Sequence, residues 1–391
     1  MKRIKLFIAF IFISTICFSQ HKITLQLSFP SEEKAQTNYF FASNLNGWNP
    51  SSTEFQFLKN EQGKFTFSLT NTNVELIQFK ITRGTWDSVE STNEGKDRGN
   101  RVIRLADVKS DTTLFITIEN WKDNFSNIIR KSTATPNVKI LSNDFLLSKL
   151  GKTRRVWIYL PDGYETSKKK YPVIYMHDGQ NLFDELTGTF GEWGVDECLD
   201  TLGPQLKFSV IIVGIDNGGK DRLSEYSPYD FKVKPDEVNV WDVKGTGSQY
   251  LESLVCDLKP YIDQHYRTIS NSKHTAICGS SMGGLISLYG IMRYPGVFGS
   301  AGVFSPAFWT NVNDLEKEIK ENTTGWNGNV YMIAGELEGK KYTDNMHAIA
   351  DLLRSQHKSN ITDKVIPAGQ HNEAFWRSQL PYYFKWLFTI I

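Results

Sequence analysis

One serine in this chain sits where it could become a nucleophile. Gly279-Ser280-Ser281-Met282-Gly283 sets Ser281 between two glycines, after the strand-like run His274–Cys278 and before the helical run Gly284–Tyr289. A strand, a sharp turn and a helix are what a nucleophile elbow requires. Side chains at the flanking glycines would collide with neighbouring backbone in so tight a turn. The turn lifts the serine oxygen out of the sheet, and the helix N-terminus favours negative charge developing beside it. The bland alternative is an ordinary glycine-rich loop.

A serine hydroxyl is a weak nucleophile until a base takes its proton. Of the seven histidines, His21 lies near the start, His177 ends a strand far upstream and His274 precedes the elbow strand; His265, His347 and His357 fall on helical stretches. Only His371 lies in a loop between the last strand and the last helix, where the order serine, acid, histidine places the base. The acid should follow the strand Val330–Ala334, where Glu336 and Glu338 compete and Asp344 stands further off. Neither glutamate wins on local chemistry. The amide of Met282 should form half of an oxyanion hole, and the loop Met176–Asn181 should supply the other half.

These groups need a scaffold. Apolar runs at Val156–Leu160, Val173–Met176, Val210–Ile215, Thr275–Cys278, Ala301–Phe304, Val330–Ala334 and Thr362–Ile366 alternate with helical stretches. Those stretches are Tyr250–Tyr266, Gly284–Arg293, Asn345–His357 and Ala374–Phe388. The rhythm predicts an α/β unit over 140–391, a mostly parallel sheet flanked by helices. Upstream, Ile23–Phe29, Tyr39–Ala42, Lys64–Leu69, Leu76–Thr82, Val102–Leu105 and Leu114–Glu119 are short, alternating and separated by turn signals. They predict a smaller, all-β immunoglobulin-like sandwich over 20–123. Polar residues 124–139 read as a linker.

The chain start reads as a signal peptide over 1–19. Lys2, Arg3 and Lys5 precede the apolar run Leu6–Phe18, too short to span a bilayer and suited to export. Cleavage at Ser19 outcompetes an uncleaved anchor, or a lipoprotein made at Cys17 behind the ill-suited Ile16. Removing those three charges turns 44 basic residues against 43 acidic into 41 against 43, and +1 into −2. A near-neutral chain carries no basic footprint for nucleic acid, and no transmembrane span is expected after cleavage. Cys198, Cys256 and Cys278 remain, an odd number that allows at most one pair. No cysteine–histidine spacing suggests zinc.

Taken in order, Tyr171–Asp184, Trp193–Glu197, Gly214–Asn217, the elbow Gly279–Gly284, Ser305–Trp309 and His371-Asn372-Glu373 resemble the putative-esterase branch of the α/β-hydrolases. That branch, which includes esterase D and feruloyl esterase-like enzymes, implies Ser281 as nucleophile and His371 as base. The resemblance puts the acid on Glu338, three residues after the strand-ending glycine; several relatives carry aspartate at that position, and the longer glutamate here leaves Glu336 a rival. It gives the second oxyanion amide to Gln180 and sets Asp178, Trp193, Arg222 and Trp309 toward substrate. The N-terminal part resembles starch- and glycogen-binding modules at Asn44–Pro50, Phe79–Gly84 and Asn100-Arg101. Trp48 or Trp86 would then stack on a sugar; the alternative is a packing module with Trp48 buried. The tryptophan such modules carry shortly before the Asn-Arg pair is absent, since Ser91–Gly99 is polar throughout.

The expectation is an exported, periplasmic or extracellular serine carboxylic-ester hydrolase that works through an acyl-enzyme without metal or cofactor. Its partner would be an ester substrate, an acetylated or feruloylated polysaccharide or oligosaccharide. Alternatives are a siderophore or small-molecule esterase, an acyltransferase and, in another class, a catalytically inactive carbohydrate-binding surface protein.

Overall fold

The computed structural model describes residues 21–29, 38–70, 74–125, 131–188, 191–233, 241–322, 326–356 and 360–391. The expected signal segment, His357 and part of the expected linker lie outside the described residues.

Seven N-terminal strands are β1 (Ile23–Ser28), β2 (Tyr39–Ser43), β3 (Gln56–Lys59), β4 (Phe65–Leu69), β5 (Leu76–Thr82), β6 (Arg101–Arg104) and β7 (Thr112–Thr117). They form one hydrogen-bonded sheet in the order β6-β5-β2-β3-β4-β1-β7. β1 shows the period-two rule: Ile23, Leu25 and Leu27 point inward while Thr24, Gln26 and Ser28 are only half-buried. Ile103 and Ile116, from opposite edges of the sheet, share one core with Tyr39, Phe41 and Phe79. The sheet therefore folds over its own core, and β3 joins its halves. That strand escapes the sequence pattern because Phe57 alone of its four residues is buried.

Eight further strands are β8 (Val138–Leu147), β9 (Lys152–Tyr159), β10 (Val173–His177), β11 (Ile211–Ile215), β12 (Thr275–Ser280), β13 (Ser300–Phe304), β14 (Asn329–Gly335) and β15 (Ile361–Ile366). Their order is β8-β9-β11-β10-β12-β13-β14-β15. β9 runs antiparallel to both neighbours and the remaining pairs are parallel. Helices pack on both faces, among them α1 (Val195–Leu206), α2 (Met282–Arg293), α3 (Val312–Asn322), α4 (Lys340–Gln356) and α5 (Glu373–Leu387). Every residue of β10 is buried, which is why it reads as an unbroken apolar run. Its alternate side chains still divide: Val173 and Tyr175 enter one core, Ile174 and Met176 the other.

The segment before β8 differs from the expected linker. Ser132 Oγ donates to Asp184 (2.6 Å), Thr133 Oγ1 to Glu192 (2.8 Å) and the Thr135 amide to Asp196 (2.7 Å). Polar composition here reflects a strap that needs hydrogen-bonding side chains, and the sheet begins at Val138. Cys198, Cys256 and Cys278 are all free thiols.

Candidate active site

In a parallel sheet the loops leaving the C-terminal strand ends gather along one edge. Here those after β10, β12, β13, β14 and β15 carry Asp178, Ser281, Ser305, Glu338 and His371. Ser281 lies between β12 and α2 at φ 58°, ψ −121°, a conformation costing a non-glycine residue about 1–3 kcal/mol. The surroundings hold it there: its amide donates to Phe304 O (2.9 Å), and its carbonyl accepts from the amides of Gly284, Leu285 and Ala307. A Cβ on Gly279 would stand 2.9 Å from the Gly283 backbone and from the His177 ring, so only glycine fits the close approach. α2 is buried from Met282 to Met292, which presents its N-terminus, and the Met282 amide, to the serine inside the protein.

His371 Nδ1 lies 2.7 Å from Glu338 Oε2. The other carboxylate oxygen of Glu338 accepts from Ser305 Oγ (2.6 Å) and from the Gly335 amide (2.6 Å), and the side chain is fully buried. Ser305 Oγ also accepts from Trp376 Nε1 (2.8 Å). The imidazole packs edge-on against Trp376 (5.2 Å between centroids) and tilted against Tyr342 (5.1 Å). Glu336, about half exposed, faces Arg104 at 3.4 Å and accepts from the Ala368 amide. No bond from Ser281 Oγ to His371 occurs among the described hydrogen bonds; such contacts are often long until substrate binds. His177 is paired through Nδ1 with Tyr250 Oη (2.8 Å), and burial pushes its pKa down to about 3, which keeps it neutral.

The 3₁₀ turn Gly179–Asn181 follows β10, and Gln180 Oε1 accepts from the Asn217 amide (3.2 Å). Asp178, expected to face substrate, is 5% exposed and fully engaged. Arg222 donates to both of its oxygens (2.7 and 2.8 Å) and Asn217 Nδ2 to one (2.6 Å). Burial alone would raise the Asp178 pKa, but these partners outweigh it and hold the carboxyl below its ordinary value. Asp178 thus ties the loop after β10 to Arg222 and Asn217, where a carboxylate open to substrate was expected. Trp193 corrects the same expectation: it is 2% exposed, packed on Phe304 and Trp376, and supports the site from beneath. The Arg222 side chain is about a quarter exposed, and half-buried Trp309 meets Tyr342 (6.3 Å) in a row leading to His371.

Sequence reasoning gave no role to Ser305, Tyr342, Trp376, Gln370 or Glu373. Ser305 lay inside a quoted motif, and its positive φ of 45° is the backbone mark of its post beside Glu338. Among the described residues no group of three or more histidine, cysteine or acidic side chains could hold a metal ion.

The strand order and the serine elbow define an α/β-hydrolase. Residues 148–387 match the family described as "Putative esterase", and the chain belongs to it. It is a carboxylic ester hydrolase. It is 27% identical over 207 residues to the uncharacterized protein YbbA of Bacillus subtilis, covering 53% of this chain and 77% of that one. It is 26% identical over 181 residues to an endo-1,4-beta-xylanase/feruloyl esterase of Xylanibacter ruminicola, covering 45% of this chain and 22% of the relative. The fold resembles enterochelin esterase from Shigella flexneri with TM-score 0.55 at 14% identity, over 90% of this chain and 87% of that one.

Proposed function

We propose that Ser281 attacks the ester carbonyl while His371 accepts its proton, and that the Met282 and Gln180 amides hold the tetrahedral oxyanion. His371 then protonates the leaving alcohol, and an acyl-enzyme remains. Water, deprotonated by the same histidine, releases the acid. Glu338 fixes the tautomer, with the Nδ1 proton toward its carboxylate, and stabilises the imidazolium. The 2.7 Å contact between His371 and Glu338, at the strand ends beside a strained serine, carries this reading.

For the substrate we favour acetyl or feruloyl-type esters on a carbohydrate, with the enzyme exported. Trp48 and Trp86 support it: both are half-buried, their centroids 6.4 Å apart, at one surface of the N-terminal unit. Trp48 is neither fully packed away nor fully exposed, which leaves a ring face for a sugar. Asn100-Arg101 offers less to a sugar, because Arg101 forks onto the fully buried Glu90. A siderophore ester is the second reading, favoured by the enterochelin esterase likeness across both units.

One panel tests both levels. Ser281→Ala should lower p-nitrophenyl acetate turnover by about 10⁴–10⁶-fold with the fold intact by circular dichroism. Undiminished turnover would remove Ser281 from the mechanism. The wild-type enzyme should release acid faster from acetylated or feruloylated xylan fragments than from a trilactone siderophore, and the reverse ranking would favour the second reading.

A further inference from the structure

The N-terminal sheet touches the loop that carries His371. The Asn100 amide, just before β6, donates to Gln370 Oε1 (3.0 Å), and Gln370 Nε2 donates back to Asn100 O (2.8 Å). One side-chain amide thus satisfies both backbone groups of a residue 270 positions away. Gln370 immediately precedes His371, and the residue after it joins the same contact: Asn372 Nδ2 donates to Gln370 Oε1 (3.2 Å). Asn372 Oδ1 in turn caps α5 by accepting from the Phe375 amide (2.9 Å).

The partner surface is stiff. Asn100 Nδ2 donates to Gln78 Oε1 of β5 (3.2 Å), and the next residue, Arg101, is forked onto buried Glu90. A Cβ on Gly99 would stand 3.1 Å from Gln370 Oε1, so the two units meet closely at this point. Two other polar contacts between the units nearby, Arg104 with Glu336 (3.4 Å) and Lys340 with Glu75 (3.2 Å), are exposed ion pairs that add little.

We propose that the Gln370–Asn100 pair makes the N-terminal sheet part of the catalytic apparatus, with Gln370 a positioning residue for His371. This rests on the Ser281–His371–Glu338 reading. Glu338 orients the imidazole through Nδ1, but the ring's position follows its backbone, which lies in the short connection between β15 and α5. Displacing a catalytic group by about 1 Å is enough to cost roughly a hundredfold in rate. The amide pair removes that freedom by tying the loop to a second, independently packed sheet.

The test is Gln370→Leu in the full chain, which keeps the side chain's bulk and removes its two hydrogen bonds to Asn100 together with the one from Asn372. We expect kcat on p-nitrophenyl acetate to fall about tenfold to a hundredfold with KM changed less than about twofold. Labelling by a fluorophosphonate probe should slow in parallel, while the melting temperature stays within a few degrees. Gln370→Glu, which keeps an acceptor for the Asn100 amide and loses the donor, should fall between. Glu75→Ala, which cuts the exposed ion pair with Lys340, should leave kcat unchanged. A Gln370→Leu enzyme with kcat within twofold of wild type overturns the proposal, as does an equal loss in Glu75→Ala. If Gln370→Leu does not fold, Gln370→Glu decides by the same criteria. Ser281→Ala in the same assay keeps the two ideas apart. Activity there defeats the triad reading, whereas a dead Ser281→Ala beside a fully active Gln370→Leu defeats only the positioning role.

Discussion

Glu336 and Glu338 stand two residues apart in one turn, and their surroundings divide them. Glu338 is turned inward by the Gly335 amide and Ser305 Oγ, whereas Glu336 faces Arg104 and solvent. Glu338→Gln should lower kcat by roughly 10³–10⁴-fold, since an amide no longer enforces the productive imidazole tautomer. Glu336→Gln should stay within about twofold; p-nitrophenyl acetate kinetics on both variants would move the acid to Glu336 if the effects came out reversed. Both glutamates follow the same strand in sequence, so local chemistry could not separate them. The deciding donor, Ser305, is 33 residues away. The places of Ser281 at the elbow and His371 between the last strand and the last helix were legible, because one sits in a motif with its own local geometry and the other in the one fitting loop.

At the scale of elements, the elbow is where sequence and strain agree. Gly279→Ala should force a methyl group against Gly283 and the His177 ring, overpacking that costs about 1–3 kcal/mol. Urea unfolding should show a lower midpoint and the fluorophosphonate probe should label more slowly; an unchanged midpoint would show that the turn has room. Strands buried on both faces, such as β10 and β12, were readable as continuous apolar runs. β8 was not, because it lies at the sheet edge and only Leu147 of its ten residues is buried. Two of the longer helices were also missed. α1 contains Gly203-Pro204 near its end, and α3 carries so many charges that its apolar stripe, Leu315 and Ile319, is thin.

For the whole molecule, the contact between the two sheets could not be read at all, because neither Asn100 nor Gln370 signals its partner by type or spacing. Glu373, beside that contact, gives the molecule a dependence on pH. Its side chain is 7% exposed and accepts from Asn181 Nδ2 (3.3 Å). Burial, reinforced by Asp178 and Asp97 and opposed by Arg222, pushes its pKa from 4.5 up to about 8. Between those values the folded chain holds a proton that the unfolded chain has lost, so stability falls as pH rises through the window. Glu373→Gln keeps the acceptor and removes the titration. Its melting temperature should therefore drop less between about pH 5 and 8 than that of the wild type. Asp196, pushed up to about 7 chiefly by burial, titrates in the same sense and leaves some slope. Parallel melting curves for the two proteins would contradict the role of Glu373. The outer strand of the larger sheet bears on a different property, the tendency of copies to stick. β8 exposes Ile140 and Leu146 along an edge that no further strand pairs among the described residues, the arrangement that templates strand addition by a neighbour. Its register against β9 shifts between Ile140 and Ser142 and again between Ser142 and Phe145. Those irregularities break the straight ladder that a second chain would need, a device that disfavours edge-to-edge pairing.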